Sequence, residues 1–283
     1  MRDDNNVNLL FHILDTIESE VPVEHLDQYK DYLEEIIRNI LDIHHDSFIT
    51  QKSNGDSPFL ELVKGGKSRI FQNITHEILL RFSEMNRINE LLSLQDKKGD
   101  TLLHILLNER INYLIRLILY RFVGDFLYIR NNDGDTPLML CCGEILNIEI
   151  GNLLLDKGVM ITQGGEGNTP LHVLLSYNYP HLHLHLDFVK RLLRTRLHDR
   201  ITRSLQNRGA RNILDVKNND GKTPVIENLD IIRRPDLLRL FLDNGLNVND
   251  HDPENGENLL FRFIKTGNFD CFKLLMEVKG LKE

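Results

Sequence analysis

The stretch Gly167-Asn168-Thr169-Pro170-Leu171-His172 decides the fold, because close copies of it recur along the chain. Its glycine suits a turn with positive φ, its threonine can cap a helix, and its proline fits the first helical position. Four of the eight prolines occupy that position after the cap. Copies follow five other glycines: Gly55, Gly99, Gly134, Gly221 and Gly256. The sequence therefore predicts a series of helices that all start in the same way.

The spacing of these copies predicts a repeat protein. Successive glycines of the motif are 44, 35, 33, 54 and 35 residues apart, and three of these gaps lie close to a period of about 33 residues. After each cap we expect a short apolar helix, a polar break, a second helix and a polar finger that leads into the next turn. The two long gaps predict insertions at about 61–98, with a helical stretch from Ile74 to Leu92, and at about 176–216. The expected helices include residues 102–107, 113–120, 148–155, 236–242 and 269–276.

The motif and the second helices resemble the ankyrin repeat. Leu153-Leu154-Leu155-Asp156-Lys157-Gly158 and Leu240-Phe241-Leu242-Asp243-Asn244-Gly245 are similar to the end of the second helix in that family, and the resemblance spans about residues 50 to 280. It implies an all-α ankyrin-repeat solenoid of about six to seven helix-turn-helix units. The chain departs from the family where bulkier residues replace a small alanine, and there we expect a different helix spacing: Leu106, Cys141 and Leu174.

Residues 1–50 are expected to form an N-terminal helical cap or a degenerate repeat, ahead of a repeat array over residues 51–283. Terminal repeats of a solenoid need a modified outer face, since no neighbour covers it. A faint copy of the motif without its glycine is Asn8-Leu9-Leu10-Phe11. Apolar residues of this segment recur at helical spacing: Leu33, Ile36, Ile37, Ile40 and Leu41.

Two histidines of the motif, His104 and His172, each follow a threonine by three positions. In the ankyrin repeat this position allows the imidazole to bond the threonine of its own repeat and the backbone of the next. Isolated motif matches seldom identify catalytic groups. We therefore expect both histidines to be structural.

A second group of histidines lies in the insertion at 176–216. On an extended chain alternate residues face the same side, so three imidazoles could bind a metal such as zinc. Structural zinc usually needs four ligands, often including thiolates, and the cysteines lie in another unit. A half-buried loop without metal is the preferred interpretation, and a metal- or anion-responsive switch at 176–216 stays open as an alternative. The histidines concerned are His181, His183 and His185, with His172 and His198 in the same repeat.

The adjacent Cys141 and Cys142 raise the alternative of a cysteine-dependent enzyme hidden in the insertions, with Cys142 activated by His172 or His181. A nucleophilic thiol needs a positioned base and a lowered pKa. Both cysteines instead fall where the ankyrin family places small buried residues. The sequence holds no phosphate-binding loop, dinucleotide fingerprint or zinc-protease motif. We therefore expect no catalysis, no cofactor and no metal.

Composition narrows the partners and the compartment. The 34 basic and 42 acidic residues give a net charge of -8, which argues against non-specific binding of nucleic acid. Three cysteines cannot form a disulfide framework and indicate a reducing compartment. The start of the chain resembles no secretory signal, and no stretch approaches the roughly 20 apolar residues of a membrane span. We expect a cytoplasmic monomer.

The fingers between repeats are the predicted binding surface, because loops held by a rigid scaffold are usual sites of recognition. An arginine-rich run in the second insertion adds further candidates, for which partner contact and a solvated helix surface are equally open. The predicted partner-binding residues of the fingers are Lys97, Lys98, Asp100, Asn132, Asp133, Asp135, Glu166, Asn168, Lys217, Asn219 and Lys222. Those of the run are Arg194, Arg196, Arg200 and Arg203.

The sequence thus predicts a non-catalytic module or scaffold that binds another protein, either a host protein or a regulatory one. The chain has 27 Asn and one Ala. Divergent, alanine-poor, asparagine-rich ankyrin arrays resemble effectors that intracellular bacteria inject into host cells, and also poxviral host-range proteins. The resemblance implies a role in virulence and a location in the host cytosol.

Overall fold

Helices make up most of the computed structural model, which describes residues 23–51, 55–64, 69–144, 146–177, 179, 182–197, 212–229 and 232–278. Within these ranges there are fifteen α-helices and no strand, and Ile161 and Leu197 form one isolated bridge. The all-α prediction is confirmed. The chain divides into two compact units, residues 1–132 (unit 1) and 133–283 (unit 2). Each unit is described by itself.

Unit 1 is built from helices that pack in pairs. The first helix of one repeat, α3, packs against its own second helix α4 and against α6, the first helix of the next repeat. The first six residues of α6 are all buried, because both its partner α7 and the neighbouring repeat cover it. The helices are α1 (Val23–His44), α2 (Asp46–Ile49), α3 (Pro58–Lys64), α4 (Arg69–Glu84), α5 (Ile88–Leu92), α6 (Leu102–Asn108) and α7 (Asn112–Arg121).

The expected helical stretch from Ile74 to Leu92 is interrupted in the structure. Asn86 adopts a left-handed conformation with φ of 58°, which ends α4, and α5 begins two residues later. The N–H of Arg87 bonds the carbonyl of Phe82 at 2.8 Å, a hydrogen bond typical of a helix C-terminus. Asparagine tolerates this conformation better than most residues, and periodicity alone did not reveal the break.

Unit 2 contains four helix pairs. First helices stack on one another, with α10 between α8 and α12, and the second helices α9 and α11 also pack together. Gly151 allows close contact there, since a Cβ on it would lie 2.8 Å from the Phe188 ring. The helices are α8 (Pro137–Cys142), α9 (Ile148–Asp156), α10 (Pro170–Ser176), α11 (Leu186–Arg194), α12 (Pro224–Glu227), α13 (Pro235–Asp243), α14 (Leu259–Thr266) and α15 (Phe269–Val278).

Six helix pairs in the described residues start at the six glycine motifs, as the spacing predicts. The observed helices extend the expected ones by one or two residues at their ends. The residues that replace the family's small alanine, Leu106, Cys141 and Leu174, are completely buried. The faint motif at residues 8–11 lies outside the described residues. In α1, Ile37 and Leu41 are buried, whereas Ile36 on the same turn is exposed.

Candidate functional site

In a finger of each unit, the first residue of a tight turn points inward. The Oδ1 of Asp96 accepts hydrogen bonds from the backbone N–H groups of Lys98 (2.8 Å) and Asp100 (2.9 Å). Burial would raise the pKa of Asp96, but these N–H groups and the ion pair with Lys64 lower it below its usual value. In unit 2 the Oδ1 of Asn218 ties its own turn in the same way. In these two fingers the first residue therefore holds the turn, and the tip behind it is exposed.

Neighbouring fingers are joined by a hydrogen-bond pattern that recurs in both units. In unit 1 the backbone N–H of Asn132 donates to the carbonyl of Lys98 at 2.9 Å, and its side-chain amide donates to the carbonyl of Lys97 at 3.0 Å. In unit 2 Asn219 repeats both bonds, to the carbonyls of Glu166 (2.9 Å) and Gly165 (3.3 Å). These asparagines therefore fix the position of one finger tip relative to the next.

A glutamine ladder, which the sequence analysis missed, strengthens the same junctions. The Nε2 of Gln95 donates to the carbonyl of Gly99 (2.6 Å) and to that of Arg130 in the next finger (2.8 Å). Gln51 bridges Gly55 and Gln95 in the same way, and Gln163 bridges its own glycine and Lys217. The signal was present in the sequence, because each glutamine stands four residues before a motif glycine.

The motif glycines also permit close approach between fingers. Gly134 has φ of 84°, and a Cβ on it would lie 2.1 Å from the backbone nitrogen of Gly165. Gly167 has φ of 77°, and its Cβ would lie 2.8 Å from the backbone nitrogen of Asn219. A side chain at either position would both strain the turn and separate the fingers. Neighbouring finger tips are consequently packed backbone to backbone at these glycines.

Most of the predicted finger residues are accessible. The expectation that Asp100 is exposed is wrong: it is 7% exposed, because Asn131 of the next finger donates to its carboxylate at 2.9 Å. Asn168 plays the same part for Asn218, at 3.1 Å, and is half-buried. Exposed finger residues are Lys97, Lys98, Asn132, Asp133, Glu166, Lys217 and Asn219, and half-buried ones are Asp135, Asn168 and Lys222.

Two finger lysines of unit 2 are held by neighbouring carboxylates. Lys222 lies 3.3 Å from Asp252 and 3.2 Å from Glu254, and Lys217 lies 3.3 Å from Asp250. These pairs lie at the surface of the fingers and are partly buried. They determine where the positive charges sit on the finger surface.

The arginine-rich run is only partly described. Arg194 and Arg196 are exposed at the end of α11, whereas Arg200 and Arg203 lie outside the described residues. An earlier member of the run, Arg191, binds Asp156 (2.5 Å) and Asn152 (2.9 Å) on α9. This part of the run therefore fastens α11 to α9, and partner contact by the rest stays a prediction.

A pocket of about 330 Å³ lies within unit 2, between two finger tips and the α10 helix. The described side chains that line it include four carboxylates and no lysine or arginine. Tyr177 forms part of its wall and stacks on Tyr179, with ring centroids 6.0 Å apart. The lining residues are Asp133, Asp135, Gly164, Gly165, Glu166, Asn168, His172, Val173, Ser176, Tyr177 and Glu227.

His172 lines this pocket as a neutral, structural group. Its Nδ1 accepts from the backbone N–H of Thr169 at 3.0 Å, so the proton is on Nε2, which donates to the Lys222 carbonyl at 3.1 Å. Burial lowers its pKa to about 4, although the bond to Lys222 acts in the opposite direction. The predicted contacts to its own threonine and to the next repeat are confirmed. His104 bonds Thr101 in the same way.

The cysteines have the character of packing residues. Cys141 and Cys142 are completely buried, and burial raises the pKa of both thiols. Burial likewise raises the pKa of Cys271 to about 11. A nucleophilic cysteine needs the opposite shift. The proposed base His172 has both ring nitrogens engaged as described above, and the other, His181, lies outside the described residues.

The described part of the chain holds no group of three or more His, Cys, Asp or Glu residues that could bind a metal ion. His181, His198 and the side chain of His183 lie outside it. A metal-responsive switch at 176–216 therefore stays a prediction. None of the described helices is long and apolar enough to cross a membrane.

Comparisons with known proteins agree with this geometry. Residues 233–276 match the family model described as ankyrin repeats (many copies). A solved ankyrin repeat domain from Acinetobacter baumannii AYE is 18% identical, with a TM-score of 0.50 over 70% of this chain and 93% of that one. The ankyrin repeat protein EF0377 is also 18% identical, with a TM-score of 0.54 over 81% of this chain and 99% of that one. No curated protein matched the sequence.

These results establish the fold. The fold is that of an ankyrin-repeat protein, and the predicted resemblance is confirmed. Ankyrin repeats generally mediate protein–protein interaction and are generally non-catalytic.

Proposed function

We propose that this chain is a non-catalytic module that binds another protein through the tips of its fingers and the first helices beside them. The observation that carries the proposal is that the exposed tips are tied to one another by hydrogen bonds. Lys97, Lys98 and Glu166 are exposed, while the backbone carbonyls at the tips are bonded to the asparagines of the next finger. A preordered surface loses little conformational entropy on association, which favours its use in binding.

The test is selection of binders from a displayed library of random peptides, with the full chain as bait. The tip variant is Lys97→Ser/Lys98→Ser/Lys217→Ser. The matched control, Arg121→Ser/Lys273→Ser/Arg239→Ser, removes the same charge from exposed positions on second helices. We expect the selected peptides to bind the tip variant at least tenfold more weakly and the control within about twofold. Equal affinity for the two variants would contradict the proposal.

We further propose that the partner is a host or regulatory protein and that the module acts in the cytosol as a monomer, as an effector of the host–pathogen type. The support is the asparagine-rich, alanine-poor composition and three free cysteines, all buried. Fractionation of infected or producing cells tests this. Recovery from the host cytosol supports the effector form, and recovery only from the producer's own cytosol would restrict the role to a regulatory module.

A further inference from the structure

We propose that the pocket of unit 2 binds an arginine side chain presented by the partner protein. The inference rests on the proposed function and specifies the chemistry of the ligand for one part of that surface. The pocket, defined by its lining residues above, combines a concave shape of about 330 Å³ with carboxylates and an exposed aromatic ring. Such a combination suits a cation that is flat, weakly hydrated and rich in hydrogen-bond donors.

The charge of the pocket lining favours a cationic ligand. The pocket is lined by four carboxylates: Asp133, Asp135, Glu166 and Glu227. The one histidine in the lining, His172, has a pKa of about 4 and is therefore neutral at neutral pH. The nearby ammonium of Lys222 is already bound by two carboxylates outside the lining. The described lining therefore carries acidic side chains and no basic side chain that is charged at neutral pH.

The Glu227 carboxyl lies near like charges that a bound cation would offset. Burial, followed by the like charges of Asp220 and Glu166, raises the pKa of the Glu227 carboxyl. Lys222 and a hydrogen bond from Asn218 offset these effects only in part. A bound guanidinium would relieve the repulsion among these carboxylates.

Shape and aromatic surface favour arginine over a metal ion. No three carboxylates or imidazoles of the described residues converge closely enough to hold a metal. Tyr177 remains 47% exposed while Tyr179 stacks on it with an interplanar angle of 20°. A guanidinium can stack on such a ring and donate five hydrogen bonds, whereas a lysine ammonium is a strongly hydrated point charge.

The experiment measures fluorescence anisotropy of a labelled glycine peptide that carries three arginines, against the full chain at physiological salt. We expect Asp133→Asn/Glu166→Gln/Glu227→Gln to weaken binding at least tenfold. The control Asp243→Asn/Asp270→Asn/Glu277→Gln changes net charge equally at exposed positions away from the pocket and is expected to stay within about twofold. Circular-dichroism melting of each variant establishes that it is folded.

Two further arms test arginine itself. A peptide with lysine in place of arginine is expected to bind several-fold more weakly, and Tyr177→Leu to remove that difference. Equal losses in the pocket and control variants, equal affinity for lysine and arginine, or no binding at all would overturn the proposal. A rise in melting temperature with added calcium would assign the pocket to a metal and would likewise overturn it.

The outcomes separate this inference from the proposed function. If random selection yields tip-dependent binders that lack arginine and ignore the pocket variant, the inference fails and the proposed function stands. If the arginine peptide binds the pocket but no tip-dependent binder is ever selected, the finger proposal fails instead.

Discussion

Two repeat heads of unit 2, Thr169–His172 and Asn258–Phe261, begin alike and end differently. In both, the side-chain oxygen of the cap accepts from the backbone N–H three residues later. His172 is 1% exposed and bonds the next finger, whereas Phe261 is 63% exposed. Capping is thus a local property of the sequence, and the burial of the third helical residue depends on the repeat that covers it.

The difference continues along the two helices. Leu175 in α10 is completely buried, and Ile264 at the equivalent position of α14 is 62% exposed. The turn glycines differ as well, because a Cβ on Gly167 would meet the next finger and a Cβ on Gly256 would meet nothing within 4 Å. Residues at the same position of the motif therefore contribute differently to the free energy of unfolding in the two repeats.

The largest expected effect is on the turn glycines. Gly167→Ala has two costs: strain at positive φ, and an overlap of its Cβ with the Asn219 backbone. We expect it to lower the free energy of unfolding by about 3 kcal/mol. Gly256→Ala introduces only the strain at positive φ and should lower the free energy of unfolding by about 1 kcal/mol. Urea denaturation followed by circular dichroism measures both. Equal losses would show that the contact between fingers contributes nothing.

Acid should destabilise the His172 head. The folded-state pKa of about 4 lies below the unfolded value of 6.5, so the unfolded chain takes up a proton first as the pH falls. Stability from this group is complete above pH 6.5 and lost progressively towards pH 4. We expect wild type to lose about 2.5 kcal/mol more than His172→Gln between pH 7 and pH 4.5. Parallel pH curves for the two proteins would contradict the lowered pKa.

Replacement of the third helical residue should distinguish the heads at neutral pH. His172→Leu leaves the Thr169 N–H and the Lys222 carbonyl without their partner, and we expect a loss of about 2 kcal/mol. Phe261→Leu, at the exposed equivalent, should change stability by less than about 0.5 kcal/mol. Thermal and urea unfolding would both report the contrast, and a large effect of the Phe261 change would mean that this face is covered.

The glutamine ladder is expected to have the smallest effect. Gln163→Ala removes two hydrogen bonds at a partly exposed site and should cost about 1 kcal/mol. His251 precedes the last finger at the equivalent position, and His251→Ala should be within about 0.5 kcal/mol of wild type. Amide hydrogen exchange at residues 217–219 would also increase in Gln163→Ala. Unchanged exchange there would indicate that the ladder does not hold the fingers together.

Prediction from sequence succeeded for interactions between residues that are close together along the chain. The cap of Thr169 and the bond from its own N–H to His172 span three residues, so the motif alone indicated them. Prediction missed the break at Asn86, because asparagine occurs both inside helices and at their C-terminal ends. It also missed the inward position of Asp100, since that depends on a residue 31 positions later.

The amino-acid sequence by itself determined the repeating turn, the caps and the bond of each motif histidine to its own threonine, because each follows from contacts within one turn of backbone. Apolar spacing along the chain determined the paired helices. Only the tertiary structure decided which finger residues bind their neighbours and which remain accessible, and that the carboxylates of unit 2 line one pocket. The bonds from Gln163 to Lys217 and from Asn219 to Gly165 each join residues 54 positions apart. Such contacts form only when repeats stack, so a local motif does not specify them.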